Sequence, residues 1–466
     1  MSKVQPALLR GFDQEYLPQE QLQFNRLVEI IRRNFELFGF VPIETPAAER
    51  KEVLTSKGGV EKEIYALTRL AADSNDDEAS TKGALHFDLT VPLARYVAMR
   101  ERELAFPFRR YQIQKVWRGE TPQARKGRFR EFYQCDIDII NRDKLSYLAE
   151  AEIPSVIYSV FKKMGIGEFR IRINNRKILK GLLQNFNVSK ENSAAVLRAL
   201  DKIEKEARSV VLEDLSRAGM SHVEAMELFS FVSTKRDTDE TLDALSQLTS
   251  QNEMCEKGTA ELKELVAAIR KFGLPDSAFC IDLGVVRGLD YYTGTIYETT
   301  LNSYPELGSI CSGGRYDDLA SYFTDTKLPG VGISIGLTRL FAKLREVGLL
   351  QPAERRPTEA FIATMDHQYL DWYLNIARLL REAGVNTEVY LEKAKLGNQL
   401  VHAGKKGFRL ALIAGQSEVE RNVVQIKDLS TQTASEFPLA EVVSAVKNAL
   451  EESVKREQFA QGRRGS

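Results

Sequence analysis

FPFRRYQIQKVWRGETPQARKGRFREFYQCDIDII, residues Phe106 to Ile140, reads as two strands joined by a basic loop. Apolar or aromatic side chains recur at alternate positions from Arg110 to Trp117 (Tyr111, Ile113, Trp117), the period of a strand. Gly119 to Gly127, with Pro122 between two glycines, breaks that strand and reads as a loop. From Arg128 the alternation resumes. Odd positions carry Phe129, Tyr133, Cys135, Ile137 and Ile139; even positions carry Arg128, Arg130, Phe132, Gln134, Asp136 and Asp138. Two arginines, an amide and two carboxylates on one strand face are costly unless solvated or occupied by a ligand. From Phe106 to Arg130 there are eight basic residues (Arg109, Arg110, Lys115, Arg118, Arg125, Lys126, Arg128, Arg130) and one acidic residue, Glu120. Guanidinium groups bind phosphate oxygens in a planar, two-pronged fashion, so the cluster suits an anionic ligand. A solvated edge hairpin with a charged loop is the alternative.

Outward from this stretch, composition sets bounds. A chain of 466 residues suggests two or three domains, and 43% hydrophobic residues suffice for real cores. Net charge is zero, so any nucleic-acid contact must come from local patches. The four cysteines, Cys135, Cys255, Cys280 and Cys311, form no CxxC pair, and no two of the four histidines have metal-ligand spacing. No apolar run is long enough to span a membrane and no signal-peptide segment leads the chain, which makes a reducing cytoplasm the expected compartment.

Before the central stretch, Glu20 to Phe38 keeps helical spacing and Gly39 stops it; Phe40 to Ile43 reads as a short strand. Ala71 to Lys82 is acidic and polar, a solvated loop. Ala84 to Thr90 reads as a strand with Asp88 and Thr90 on one face, a pair able to receive an ammonium group; alternatively Asp88 caps the helix Val91 to Arg100. After it come a helix around Tyr147 to Met164 and a strand, Glu168 to Ile173. Arg176 to Gly273 is a run of helical periods, with a capping box at Ser221 and Glu224. Strands resume at Ser277. Arg287, between apolar residues and a glycine, is either paired for structure or aimed at an anion, and Tyr291 and Tyr292 beside it can line a polar pocket. Gly313 and Gly314 permit close approach to a ligand or make a turn. Gly330 to Arg339 reads as a Gly-spaced strand running into a helix and lacks the phosphate-loop pattern. From Pro357, β and α periods alternate to a closing helix, Leu439 to Leu450, implying a small sheet with helices packed on it; the residues beyond 452 read as a frayed tail.

Taken in order, these motifs resemble the histidyl-tRNA synthetases, members of the class II aminoacyl-tRNA synthetases, over nearly all of residues 8–450. RGLDYYTG at Arg287–Gly294 and GGRYDDL at Gly313–Leu319 look like that family's histidine-specific signatures. VWRGE at Val116–Glu120 with GRFREFYQCDIDI at Gly127–Ile139 looks like class motif 2. IETP at Ile43–Pro46 is similar to motif 1, the dimer interface, and GISIGLTRL at Gly332–Leu340 to motif 3.

The resemblance implies an α+β catalytic domain on an antiparallel sheet, in two parts (1–175 and 274–350) around a helical insertion (176–273). A small α/β anticodon-binding domain (357–452) and a tail (453–466) follow. It implies histidine–tRNA ligation with ATP and Mg²⁺, the metal held mainly by ATP, and with L-histidine, tRNA(His) and a second copy of the chain as partners. Carried over residue by residue, Arg118 holds the α-phosphate, Arg128 and Arg339 grip the triphosphate, and Phe132 stacks on adenine near Glu120. Asp88, Leu89 (through its backbone), Thr90 and Gln134 receive the α-ammonium group. Asp138 and Tyr292 read the imidazole, Tyr291 and Tyr316 line the pocket, and Arg287 sits by the carboxylate and α-phosphate. Aspartates at 88 and 138 are shorter than the glutamates of other variants, so the pocket is expected to be tighter. Relatives that no longer ligate tend to lose the family arginine and the terminal domain; this chain keeps both.

Overall fold

The structure, a computed structural model, describes residues 4–56, 61–69, 82–123, 127–248, 252–286, 292–350 and 358–462. The chain forms two units, Met1–Gln351 and Pro352–Ser466. In the first, α1 (Pro18–Leu37) begins with a proline whose φ is preset for a helix, and Glu20 accepts a hydrogen bond from the Leu17 N–H at 3.3 Å. Gly39, at φ +75°, turns the chain after it. Next come β1 (Val41–Pro42), β2 (Ala48–Arg50), α2 (Lys51–Leu54), β3 (Gly83–Leu85) and α3 (Thr90–Arg100). The stretch Phe106–Ile140 supplies β4 (Phe108–Trp117) and β5 (Glu131–Ile140), paired antiparallel from Phe108↔Ile140 to Trp117↔Glu131.

α4 (Tyr147–Met164) and β6 (Phe169–Asn175) lead into a run of helices. These are α5 (Arg176–Asn185), α6 (Lys190–Leu200), α7 (Arg208–Arg217), α8 (His222–Ser233), α9 (Thr238–Leu248) and α10 (Glu253–Lys271). The capping box expected at Ser221 and Glu224 opens α8. β7 (Phe279–Ile281), β8 (Thr295–Leu301), β9 (Cys311–Tyr316), β10 (Gly330–Gly336) and α11 (Leu337–Glu346) complete the unit.

Eight strands form one sheet in the order β1-β4-β5-β10-β9-β8-β6-β7. It is antiparallel except at its two ends, where β1 runs with β4 and β7 with β6. β5 therefore lies inside the sheet, between β4 and β10, which excludes the edge-hairpin reading of this stretch. One face of the sheet is apolar. Cys135, Ile137 and Ile139 of β5 and Val331, Ile333 and Ile335 of β10 are buried in one cluster with Phe24, Leu27, Ile31 and Phe35 of α1 and Ile153, Ile157 and Phe161 of α4. Burying each such side chain contributes about 1.5–3 kcal/mol, and this fixes the register: a one-residue slip would turn Asp136 and Asp138 into that cluster.

The second unit contains β11 (Ala360–Ile362), α12 (Leu370–Glu382), β12 (Thr387–Val389), α13 (Leu396–Lys406), β13 (Leu410–Ile413), α14 (Gln416–Glu420), β14 (Val423–Asp428), β15 (Ala434–Pro438) and α15 (Val442–Gly462). Its sheet runs β12-β11-β13-β14-β15, with β11 parallel to both neighbours and β14 and β15 antiparallel. β15 escapes a periodicity reading because its side chains are mostly exposed and carry no apolar alternation. The expected frayed tail is a correction: α15 continues to Gly462, Ser453 is buried, and Arg456 is ion-paired with Asp428. Among the described residues no helix is long and apolar enough to cross a membrane.

Candidate active site

The other face of the large sheet is polar. Directly opposed residues share a face, so the even positions of β5 meet Arg110, Gln112 and Gln114 of β4 on one side. On the other side they meet Gly332, Ser334 and Gly336 of β10, with Ser312 and Gly314 of β9 beyond. Long polar side chains thus stand beside a strip of glycines and serines, which leaves room above the sheet. Gly332 is required there: a Cβ would lie 2.1 Å from Asp138 Oδ1 and 2.4 Å from the Ile137 carbonyl oxygen. Gly313 and Gly314 lie inside β9, not in a turn. A Cβ on Gly313 would strike the Gly332 carbonyl oxygen, and one on Gly314 would strike the Thr295 carbonyl oxygen and the Tyr292 ring.

Three buried acceptors line up on β5. Asp138, 4% exposed, has Oδ2 2.5 Å from Arg110 Nη2, and Tyr316 donates its hydroxyl to Oδ1 at 2.7 Å. Burial pushes Asp138 up to about 6, against the pull of the Arg110 guanidinium and the Tyr316 hydroxyl. Asp136, 3% exposed, is pushed up to about 7, again by burial, with Arg110 and Ser334 pulling down and Asp138 and Asp88 adding to the rise. Gln134 donates from Nε2 to Ser334 Oγ at 2.7 Å. Gln134 Oε1 and Asp136 Oδ1 are enclosed and have no hydrogen-bond partner among the described residues. Tyr292 feels Asp138, Asp136 and Asp88; burial and these charges raise its hydroxyl well above the usual range and keep it protonated.

Beside these acceptors lies a cavity of about 430 Å³. Arg118, Arg128 and Arg339 line it together with Glu120, Phe132, Gln134, Ser312, Ser334 and Lys343. The Arg118 guanidinium lies against two rings, 4.5 Å from the Phe87 centroid and 5.1 Å from that of Phe132, and its Nε donates to the Phe87 carbonyl at 3.2 Å. These contacts and the hydrogen bond restrict the planar group's orientation. Arg339 Nη2 donates to the Leu307 carbonyl at 2.9 Å, and its stem packs on Gly127, where a Cβ would come within 2.7 Å of Arg339 Cγ. Arg128 is exposed at the rim.

The basic cluster divides by environment. Arg109 pairs with Glu152 at 2.7 Å, Arg110 with Asp138, and Lys115 with Glu131 at 2.7 Å, so these three hold the fold together. Arg118 and Arg128 reach the cavity, and Arg130 donates to the Glu120 carbonyl at 3.2 Å. Arg125 and Lys126 lie outside the described residues, as do Arg287 and Tyr291 and the acidic loop up to residue 81. The strand expected from Ala84 to Thr90 ends at Leu85, and Thr90 opens α3. Asp88 and Thr90 therefore do not share a strand face. Asp88 Oδ1 caps α3, accepting from the N–H groups of Thr90 at 3.2 Å and Val91 at 3.0 Å, and Leu89 is fully buried. Tyr316 reaches the pocket through its hydroxyl on Asp138. Arg110 and Asp136 were read from sequence only as members of the basic cluster and of the polar strand face, and Ser334 and Lys343 were not singled out; the Gly-x-Ser-x-Gly alternation Gly332–Gly336 is the signal that marks the room above the sheet.

Known proteins resemble this chain over most of its length. Residues 13–340 match the family model for histidyl-tRNA synthetase, and residues 359–449 match an anticodon binding domain. A histidine–tRNA ligase of Stenotrophomonas maltophilia is 46% identical across 94% of this chain and 97% of its own length. One from Clostridium tetani is 44% identical across 96% and 99%. A solved histidyl-tRNA synthetase from Nostoc sp. PCC 7120 superposes with a TM-score of 0.86 at 40% identity, covering 96% of this chain and all of that one.

Proposed function

The chain belongs to the histidyl-tRNA synthetase family, and on that premise we propose how its site carries out the family's reaction. Its activity is ATP-dependent histidine–tRNA ligation: L-histidine and ATP give histidyl-adenylate and pyrophosphate, and histidine then passes to the 3′ end of tRNA(His).

The observation that carries the proposal is the convergence of Arg118 and Arg128, from one stretch, and Arg339, from a distant one, on one cavity beside Phe132 and Gln134. Activation joins two anions, the histidine carboxylate and the α-phosphate, so cations must offset their repulsion while holding them in line. Arg118 takes the α-phosphate, its plane held by Phe87 and Phe132. Arg128 and Arg339 take the remaining phosphates, Phe132 offers a face to adenine with Glu120 near it, and Arg287 bridges carboxylate and α-phosphate. The attacking carboxylate is already ionised, so no general base is needed.

Gln134, with the Asp88 segment, receives the α-ammonium group; Asp138, Tyr292 and Tyr316 form the side-chain pocket, to which the family resemblance adds Tyr291. An amino acid without ring nitrogens would leave those buried polar groups unpaired, which rejects near-isosteres strongly. Among the described residues no cluster of acids, histidines or cysteines could hold a metal ion. Among the described residues the charged lining of the cavity is Arg118, Arg128, Arg339 and Lys343 with Glu120 as the one carboxylate, a set suited to phosphate and to a metal arriving on ATP. When bound, Mg²⁺ offsets phosphate charge and is held by phosphate oxygens and water.

The terminal unit reads the tRNA. A homodimer through the α1–β1 region is supported by the exposed Val41 on β1, at one end of the sheet. A cytoplasmic location is the reading that a role in translation supports. Histidine-dependent ATP–pyrophosphate exchange tests the site: Arg118→Ala and Arg287→Ala should each reduce it about 10²–10³-fold with folding retained. Near-normal exchange by either variant removes that arginine from the mechanism.

A further inference from the structure

Beyond its part in holding the sheet together, Arg110 touches the one carboxylate that the reading above gives to the imidazole. It is fully buried and lies directly opposite Asp138 in the pairing of β4 with β5. A buried guanidinium is costly unless its charge is offset and its arms are used. One arm, Nη2, is ion-paired with Asp138 Oδ2 at 2.5 Å; the other, Nη1, donates to Gln112 Oε1 at 3.4 Å. Gln112 is itself held, its Nε2 donating to Thr45 Oγ1 at 3.0 Å and to Gln114 Oε1 at 2.6 Å. We propose that Arg110 is a positioning residue for amino-acid recognition, which keeps the Asp138 carboxylate ionised and aimed to accept a ring N–H of histidine. This rests on the reading that Asp138 receives the imidazole.

Three strands set the place of the carboxylate. Arg110 of β4 takes Oδ2, the Tyr316 hydroxyl of β9 takes Oδ1 at 2.7 Å, and Gly332 of β10 leaves the room that a Cβ, 2.1 Å from Oδ1, would fill. The other charged and titratable groups around Asp138 are Asp136 on its own strand, Asp88 before α3, Tyr316, and Tyr292. None of these is a cation, so among the described residues Arg110 is the group that offsets the charge of Asp138. An ionised carboxylate can only accept, and each oxygen keeps a lone pair after these contacts. What it offers a ligand therefore suits an N–H and neither an apolar group nor a second acceptor.

Without the guanidinium the same burial would drive a proton onto Asp138. An opposite charge at contact distance lowers a carboxyl by about 1–3 pH units. With Arg110 present, burial brings Asp138 only to about 6, so at pH 8 it is ionised. With the cation gone that value rises, the acid carries a hydrogen of its own, and one of its oxygens becomes a donor set against the ring N–H. A protonated Asp138 leaves no bare charge in the core, so the fold tolerates the change while histidine binding does not. The phosphate-binding arginines are untouched by it.

Pyrophosphate exchange from about pH 5.5 to 8.5 tests this in the full-length protein, with separate KM values for histidine and ATP. Arg110→Met should raise the histidine KM about tenfold at pH 8, the scale of one charge-assisted hydrogen bond, and leave the ATP KM unchanged. As pH falls, its histidine KM should begin to climb about one pH unit or more above the point at which the wild type does. Free histidine titrates identically in both assays, so the difference belongs to the protein. Arg110→Lys keeps the charge, but a single ammonium cannot hold Asp138 and Gln112 together. Its climb should begin where the wild type's does, with the histidine KM raised about threefold. Added to Asp138→Asn, Arg110→Met should change the histidine KM no further. A histidine KM for Arg110→Met within twofold of wild type at pH 8, or a climb that begins at the wild-type pH, overturns the proposal. Should Arg110→Met not fold, Arg110→Lys decides, and a rise in histidine KM of less than twofold overturns it. Asp138→Asn separates the two layers. If it leaves the histidine KM unchanged, the assignment of Asp138 fails and the role of Arg110 with it; if it raises KM while Arg110→Met does not, the role of Arg110 alone is wrong.

Discussion

Replacing Asp136 by asparagine should make the first unit more stable above pH 7. The carboxyl is 3% exposed, and its free-solution value of 3.8 is raised by burial to about 7. A group that binds its proton more tightly in the folded state stabilises the fold most at low pH. That contribution is complete below the unfolded value, near 3.8, and is lost as pH rises through the folded value, near 7. At about 1.36 kcal/mol per tenfold change in acidity, the loss between these limits is about 4 kcal/mol. Asparagine has nearly the same shape and carries no charge, so the variant lacks this loss. Local rearrangement reduces the full figure, and a gain of about 1–4 kcal/mol at pH 8 is expected, falling to about 1 kcal/mol or less at pH 4.5. Urea unfolding measures it. Trp117 lies in the first unit and Trp372 in the second, so a Trp372→Phe background lets fluorescence follow the first unit alone. A variant no more stable than wild type at pH 8, or one whose gain is equal at both pH values, would refute the claim that an ionised Asp136 is a burden on the fold.

Two further expectations concern packing. Gly332→Ala places a methyl carbon 2.1 Å from Asp138 Oδ1 in the middle of the sheet, so it should destabilise by about 1–3 kcal/mol and raise the histidine KM more than the ATP KM; steady-state exchange and urea unfolding check both. Ending the chain after Glu452 removes the buried Ser453 and the Arg456–Asp428 pair, and should lower the melting temperature reported by Trp372 by several degrees; an unchanged value would mean that the end of α15 contributes nothing.

Sequence reading served well where the physics is local. The alternation through Phe106–Ile140 gave both long strands, because one face of each had to be apolar. α1, α4 and the helices of the insertion announced themselves by period and by caps such as Ser221 and Glu224. It did less well with Ala84–Thr90, where a short β-bridge and a helix cap share seven residues, and Asp88 is used by backbone N–H groups that no spacing reveals. Most of the site residues were named from motif resemblance. Among those, Arg118, Arg128, Arg339, Phe132, Glu120 and Gln134 come together around one cavity, while Arg287 and Tyr291 lie outside the described residues.

By itself, then, the order of residues determined most of the elements, the family and which stretches carry the chemistry, since periodicity, capping and glycine placement act over a few residues. What each charged group does was decided only in three dimensions. Arg110 and Arg118 stand eight positions apart in one basic run, yet one is sealed against Asp138 and the other faces a cavity. Gln134 owes its orientation to Ser334, two hundred positions later in the chain. The function of an ion depends on its distance from water and from its counter-ion, and both are set by strands that meet only when the sheet has formed.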